Sequence, residues 1–325
     1  MLRIGIIGVV SELPKLCSSI AEMKEIQFIG FHCINDENFA NNFARFSSLN
    51  ELLLATDAVY ISSKSANHED VIERSIKNQI HTLVEFPFII DTDRGNELMN
   101  LAHEANIKLQ VGNPLKFTPV YLGIKDKFDS PMFIESHQLQ SINSELTNTS
   151  VIQNLMIKDI DVILSIVQSS VKKISANGVA VVNGTPDITN ARIEFENGCV
   201  ANLTASRVSL KKMRKTRVFQ KDAYVSIDFL EKKTEIVSLR EVSSWNPFAM
   251  NIEVDAVGNK KTVQLHKPKI KQLNAIQEEL VTFAQAIQNN NTPLVTLNDG
   301  CKALRVAHII MEKINDRISK TLPNA

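Results

Sequence analysis

The sequence predicts an α/β unit built on a parallel sheet, followed by an α+β unit with a large, open, mostly antiparallel sheet. Three observations predict this. Between residues 3 and 111, short β-rich runs alternate with amphipathic helical stretches, at the spacing of parallel strands joined by crossover helices. Those runs are nearly continuous in apolar residues, as in a sheet covered on both faces. After about Asn113 the pattern changes to strands at hairpin spacing, closed by two helices.

Arg3–Gly8 is the first strand, apolar apart from its first residue. Ser11–Met23 follows as a helix with Pro14 in its first turn, where a missing N–H costs little. Ile26–Cys33 is a strand, and Asp36–Phe46 and Leu49–Ala55 are helical. Asp57–Ser63 is the third strand, after which Asn67 caps a helix running to Asn78, with Glu69 and Asp70 at its positive end. His81–Glu85, a helix over Asp91–Asn106 and the strand Ile107–Val111 complete the first unit. Beyond it, Met132–Leu139 reads as a strand and Ser150–Gln168 as a helix. Strands follow over Lys173–Val182, Thr189–Glu196, Cys199–Ser206, Arg217–Gln220, Ala223–Phe229 and Lys233–Leu239. Asn197-Gly198 between two of them is a hairpin signal, because both residues tolerate positive φ. Helices over Asn274–Gln288 and Leu297–Ile318 end the chain.

The chain has 325 residues, enough for two cores. Lysine plus arginine equals aspartate plus glutamate at 36 each, which gives no global reason to expect nucleic acid or an anionic membrane as partner. Cys17, Cys33, Cys199 and Cys301 are far apart in sequence, so they form no metal or redox motif and read as reduced thiols of a cytoplasmic protein. No stretch approaches the roughly 18 apolar residues of a membrane span, and the N-terminus lacks the features of a signal peptide.

The segments "DIDVILSIV", "DITNARIEFENGCVANLTASRVSLKKMRK" and "DAYVSIDF", with "DAVYISS…NHEDVIERSIKNQIHTLVEFP" before them and "AIQEELVTFAQAI…TPLV…ALRVA" after, carry a family resemblance over essentially the whole chain. The chain resembles the Gfo/Idh/MocA family of NAD(P)-dependent oxidoreductases, and more narrowly the branch that oxidises UDP-N-acetylglucosamine at the sugar ring. The resemblance implies a Rossmann-like, doubly wound dinucleotide-binding domain over residues 1–113 and a substrate and oligomerisation domain over 114–325. It also implies NAD or NADP as cofactor, a nucleotide sugar or related metabolite as ligand, and a homo-oligomer formed through the open face of the second sheet.

The positions that serve these roles in the family are largely replaced. Where a dinucleotide fold carries Gly-x-Gly-x-x-Gly, this chain reads Gly8-Val9-Val10-Ser11-Glu12-Leu13, and only Gly8 remains. Val10 puts a β-branched side chain where backbone should meet pyrophosphate, and Glu12 adds a negative charge at the helix end that attracts phosphate. The alternative is a plain strand-to-helix turn. Cys33 occupies the position of the acid that binds the adenosine ribose, so NAD and NADP are not distinguished. Asp36 either substitutes for that acid or caps the next helix. The third-strand loop is Ser62-Ser63-Lys64-Ser65, in which Lys64 either holds a phosphate or is solvated. His68 lies on the family pattern with a capping or structural role. Glu85 and Asn113 are further cofactor positions by resemblance.

The family's catalytic lysine lies in Glu-Lys-Pro, whereas this chain has Glu85-Phe86-Pro87, and phenylalanine donates no proton. The family's helical Asp and His, four residues apart, correspond to Asn154 and Lys158. Asn154 cannot titrate, and Lys158 beside Asp159 and Asp161 tends to stay charged. Lysine is absent at 86 and present at 158, across the presumed cleft, which raises the alternative of Lys158 as a relocated base. Lys116 stands where the family more often has arginine. The basic stretch Arg207–Arg217 is either an exposed charged hairpin or an anion site for a diphosphate.

The expected function is therefore that of an oxidoreductase homologue that has lost catalysis. It would bind a nucleotide sugar, or serve as a structural or regulatory subunit, including alongside an active relative. The competing reading is an active NAD(P)-dependent sugar or nucleotide-sugar dehydrogenase with rearranged cofactor contacts.

Overall fold

The structure, a computed structural model, describes residues 1–34, 42–64, 67–88, 90, 92–142, 150–182, 185–241, 253–256, 259–270 and 273–321. The chain divides into two compact units, Met1–Phe117 with Leu273–Arg305, and Thr118–Gln272 with Val306–Ala325.

In the first unit, strands β1 (Leu2–Gly8), β2 (Ile26–Cys33), β3 (Ala58–Ile61), β4 (His81–Glu85) and β5 (Leu109–Gly112) form one sheet in the order β2-β1-β3-β4-β5. All four pairings are parallel, so the predicted fold class holds. The crossovers include α1 (Leu13–Ala21), α2 (Leu49–Ala55), α3 (His68–Lys77) and α4 (Thr92–Glu104). One face of the sheet buries Ile4, Ile6, Ala58, Tyr60 and Leu83 against Leu13, Leu16, Cys17 and Ile20 of α1. Leu280, Phe283 and Ala284 of a later helix, α7 (Ala275–Gln288), fill the same cluster. Each isoleucine, leucine or phenylalanine among them contributes roughly 1.5–3 kcal/mol by leaving water. The chain order reverses between β1 and β3, and in open sheets of this kind ligands bind in the crevice at the carboxyl ends of the strands where that happens.

Two local expectations fail in this unit. The helix expected over Asp36–Phe46 is absent over 42–46, where Arg45 instead bridges Phe31 of β2 in parallel fashion. Residues 35–41, including Asp36, lie outside the described residues. Asn67 does precede a helix, but in the left-handed conformation (φ 56°) and without a side-chain cap hydrogen bond. Its carbonyl, not its carboxamide, starts the helix by accepting from Val71 N–H at 3.1 Å.

The second unit contains α5 (Pro119–Leu122) and the strands β6 (Phe133–Leu139), β7 (Val171–Val179), β8 (Ile188–Phe195), β9 (Val200–Ser206), β10 (Met213–Gln220), β11 (Ala223–Asp228), β12 (Lys233–Glu241), β13 (Glu253–Ala256) and β14 (Asn259–His266). They form a nine-stranded sheet, β13-β14-β12-β11-β10-β6-β9-β8-β7. Only β6 and β9 pair in parallel, so the sheet is mostly antiparallel as expected. Strands β13 and β14 were not expected, and β10 starts four residues earlier than the sequence suggests, where Met213–Thr216 pair with Ser136–Leu139 of β6. At Asn197-Gly198 only Gly198 has positive φ (86°). Phe195 C=O accepts from Gly198 N–H at 3.0 Å and Phe195 N–H donates to Cys199 C=O at 2.9 Å. The turn therefore spans Glu196–Gly198, a three-residue hairpin loop closed by glycine rather than the two-residue form.

The expected helix over Ser150–Gln168 is two segments: a π-helical turn over Ile152–Met156 and then α6 (Ile157–Val167). On the sheet face that carries Ile134, Ser136 and Thr216, the side chains are buried, and Ser136 bonds Thr216 at 3.2 Å. The opposite face is half-buried and carries the ring contacts Phe133–Phe219 and Phe219–Tyr224, with centroids 5.8 and 4.9 Å apart. The last helix is α8 (Leu297–Thr321).

Candidate functional site

In the first unit the crevice at the β1/β3 reversal is bordered by the turn from β1 into α1 and by the turn after β3. The two turns touch through small residues. A Cβ on Gly8 would lie 2.6 Å from Ser62 Oγ, so glycine is required there by close approach. Ser62 is fully buried, donates its N–H to Ile7 C=O at 2.9 Å, and its carbonyl lies 3.3 Å from His68 Nε2.

Three of the positions that could offer a phosphate an N–H at the start of α1, Glu12, Leu13 and Pro14, are engaged or lack one. Glu12 N–H and Leu13 N–H both point to Val9 C=O, at 3.0 and 3.1 Å. Pro14, the next residue, has no N–H. Val10 packs against the apolar core instead of leaving room above the backbone. The Glu12 side chain crosses the crevice: Ser63 Oγ–H donates to it at 2.9 Å and Lys64 N–H at 3.3 Å. Lys64 Nζ, on an exposed side chain, lies 3.4 Å from Ser11 Oγ. This donor set is a poor match to a dinucleotide pyrophosphate, because a carboxylate already stands among the donors that remain. Cys33 at the end of β2 is buried, and the next residue, Ile34, returns its N–H to Gly8 C=O at 3.0 Å. Cys33 supplies no oxygen acceptor for a ribose hydroxyl.

Phe86 follows β4 and is fully buried, stacked on Phe88 with ring centroids 5.1 Å apart. The Phe86-Pro87 peptide is cis. Glu85, half-buried, accepts a hydrogen bond from Tyr60 Oη at 2.9 Å. Burial, with the Glu85 charge beside it, pushes the Tyr60 phenol well above its ordinary range. Asn113 is fully buried, and its N–H donates to Glu279 Oε1 of α7 at 2.8 Å. Lys116 is buried as well, at 4% exposure, so it is not a solvated surface charge. The Tyr60–Glu85 and Asn113–Glu279 bonds were not foreseen. The first pairs residues on adjacent parallel strands, and the second joins positions 166 apart in sequence, for which no local signal exists.

Asn154 and Lys158 belong to the second unit, on either side of the junction between the π-helical turn and α6. Both are half-buried. A π turn is wider than an α turn, so the simple i, i+4 facing expected of a regular helix is altered there, and such turns recur at functional sites. Asp159, buried, is bonded by Arg214 Nε at 3.3 Å, and burial raises its carboxyl above the usual range despite that partner. Asp161 is buried too.

The basic stretch is neither a free anion site nor an exposed hairpin along its whole length. Arg207 is 3% exposed and pairs with buried Asp187 at 2.6 Å. Arg214 is held by Asp159, and Arg217 by Glu135 at 3.3 Å. Lys211 and Lys212 are exposed. Acidic partners far away in sequence thus neutralise the arginines.

Two histidines of the first unit make its stability pH-dependent. Burial holds His68 below its ordinary value of 6.5, and burial, then Lys108, does the same for His81. His81 Nδ1 accepts Lys108 N–H at 3.0 Å, a bond lost when that nitrogen is protonated. Below about pH 6.5 the unfolded chain takes up protons that the folded chain refuses, so this stability is complete above 6.5 and is lost as pH falls. The melting temperature is expected to drop between pH 7.5 and 5.5, by about 2–4 °C per kcal/mol. A His68→Gln/His81→Gln variant should show a shallower drop, and an identical pH slope would refute the assignment.

Among the described residues no group of three His, Cys, Asp or Glu side chains is placed to hold a metal ion. No described helix is long and apolar enough to cross a membrane.

Comparison with known proteins bears on this site. Residues 2–113 match Gfo/Idh/MocA, described as an oxidoreductase family with an NAD-binding Rossmann fold. The chain is 33% identical over 192 residues to UDP-N-acetylglucosamine 3-dehydrogenase of Acidithiobacillus ferrooxidans, an alignment covering 59% of this chain and 61% of that protein's length. A solved structure of that organism's UDP-N-acetylglucosamine 3-dehydrogenase GnnA superposes with a TM-score of 0.84 at 27% identity, covering 96% of this chain and 97% of the other. The uncharacterised oxidoreductase YrbE of Bacillus subtilis is 24% identical over 275 residues, 79% of this chain and 76% of its own length.

Proposed function

The chain carries a Gfo/Idh/MocA oxidoreductase-family domain, and on that premise we propose that it is a member that has given up hydride transfer while keeping a nucleotide-sugar ligand. In this reading it is a cytoplasmic binding, structural or regulatory protein. It self-associates through the half-buried face of the second sheet, or pairs there with an active relative.

The observation that carries the reading is Phe86. A fully buried phenylalanine, stacked on Phe88, stands where the family resemblance places a proton-donating lysine. Asn154 supports it from the second unit, since a carboxamide neither titrates nor orients a base through charge. The poor match of the β1/β3 crevice to a pyrophosphate points the same way, and neither NAD nor NADP is assigned. The ligand class follows from the relative named for UDP-N-acetylglucosamine. The aromatic band Phe133–Phe219–Tyr224 supports self-association, because aromatic residues are enriched in interface cores.

The test pairs binding with turnover. UDP-N-acetylglucosamine is expected to bind the purified protein calorimetrically, while the same sugar with NAD⁺ or NADP⁺ yields no reduced nicotinamide. Steady turnover would contradict the reading in favour of an active dehydrogenase with rearranged contacts. In that case half-buried Lys158 is the base to examine, and Lys158→Ala should abolish the rate.

A further inference from the structure

We propose that the dinucleotide crevice is filled from within: the Glu12 carboxylate is a tethered substitute for a phosphate, and it is this contact that keeps exogenous phosphates out. The inference rests on the reading that the crevice holds no dinucleotide. Donors from the turn after β3 face it, carried by Ser63 and Lys64. Ser63 Oγ–H and Lys64 N–H both reach the Glu12 carboxylate, at 2.9 and 3.3 Å, and Lys64 Nζ lies 3.4 Å from Ser11 Oγ on the facing turn. A hydroxyl, a backbone N–H and an ammonium are the donor types that bind phosphoryl oxygens. Ser63 and Lys64, which carry them, follow β3 at the strand-order reversal, where a ligand phosphate would be expected.

The donors are thus present, and their occupant belongs to the chain. Glu12 has a phosphate's charge sign and accepting oxygens, and its own N–H is anchored to Val9 C=O at 3.0 Å, an oxygen that also accepts from Leu13 N–H at 3.1 Å. Held by a tether of a few bonds, it competes at an effective concentration on the order of millimolar or above. A second anion would have to displace it or sit against it, and like charges that close are unfavourable. A plain strand-to-helix turn needs no carboxylate reaching across to the β3 loop.

Removing the carboxylate should therefore uncover an anion site. The full chain is titrated calorimetrically with inorganic pyrophosphate and, separately, with NAD⁺, as wild type, Glu12→Gly and Glu12→Gln, each checked for a cooperative melt. Glu12→Gly empties the crevice, and Glu12→Gln keeps the shape and loses the charge, so a failure of the first to fold leaves the second to decide. The wild type is expected to give no heat with either probe. The variants should bind pyrophosphate at least about ten-fold more tightly than wild type, and adding Ser63→Ala to Glu12→Gly should weaken that binding again. Folded variants as inert as wild type would overturn the Glu12 proposal and leave the proposed function standing. Micromolar NAD⁺ binding by the wild type would overturn both.

Discussion

Replacing Phe86 with lysine is expected to destabilise the first unit and to restore no dehydrogenase activity. Phe86 is fully buried and stacked on Phe88. Truncation to alanine at such a site costs about 3–5 kcal/mol through lost transfer energy and the cavity left behind. Lysine adds an ammonium that must be paired or desolvated. Phe86→Ala should therefore shift the urea midpoint strongly, and Phe86→Lys at least as much. Assays with UDP-N-acetylglucosamine and NAD⁺ should stay blank even where the variant remains folded. A stable Phe86→Lys protein that turned over sugar would show that only the lysine was missing.

The second large effect is expected at Asp187. It is fully buried and takes Arg207 Nε–H at 2.6 Å and the N–H groups of Val181 and Val182 at 2.7 Å each. Arg207 also reaches Thr185 Oγ1 at 2.9 Å. Asp187→Ala leaves a buried guanidinium without its charge partner and two N–H groups without their acceptor, and breaking a buried pair in this way costs about 3–5 kcal/mol. The change should appear as a lowered melting temperature and as faster amide exchange at Val181 and Val182. Unchanged exchange at those two amides would show that the carboxylate does not hold the β7–β8 connection.

These two residues mark what the sequence did and did not disclose. The parallel order of the first sheet and the mixed second sheet were legible, because strand period and apolar runs are local signals. The span of α7 was legible too, expected over Asn274–Gln288 and observed over Ala275–Gln288. That Leu280 and Phe283 of this helix pack with Ile4 and Tyr60 was not, since tertiary packing has no local sequence mark. At the candidate site, the replacement of Val10, Cys33, Phe86 and Asn154 could be read residue by residue. The partners were hidden for the same reason as the packing. Glu12 reaching Ser63, Arg207 reaching Asp187 and Arg214 reaching Asp159 are contacts between distant positions, and they turn apparently free charges into internal ones. The π-helical turn at Asn154 was also invisible, because its hydrophobic spacing reads as ordinary helix over so short a stretch.

The most direct test is calorimetric titration of the purified, cofactor-stripped protein with NAD(H) and NADP(H), alongside thermal melts. The account predicts no heat and no melting shift up to about a millimolar dinucleotide, a very weak affinity. Micromolar binding of either would contradict it, and would mean that Glu12 moves aside and that Val10 and Cys33 tolerate a cofactor.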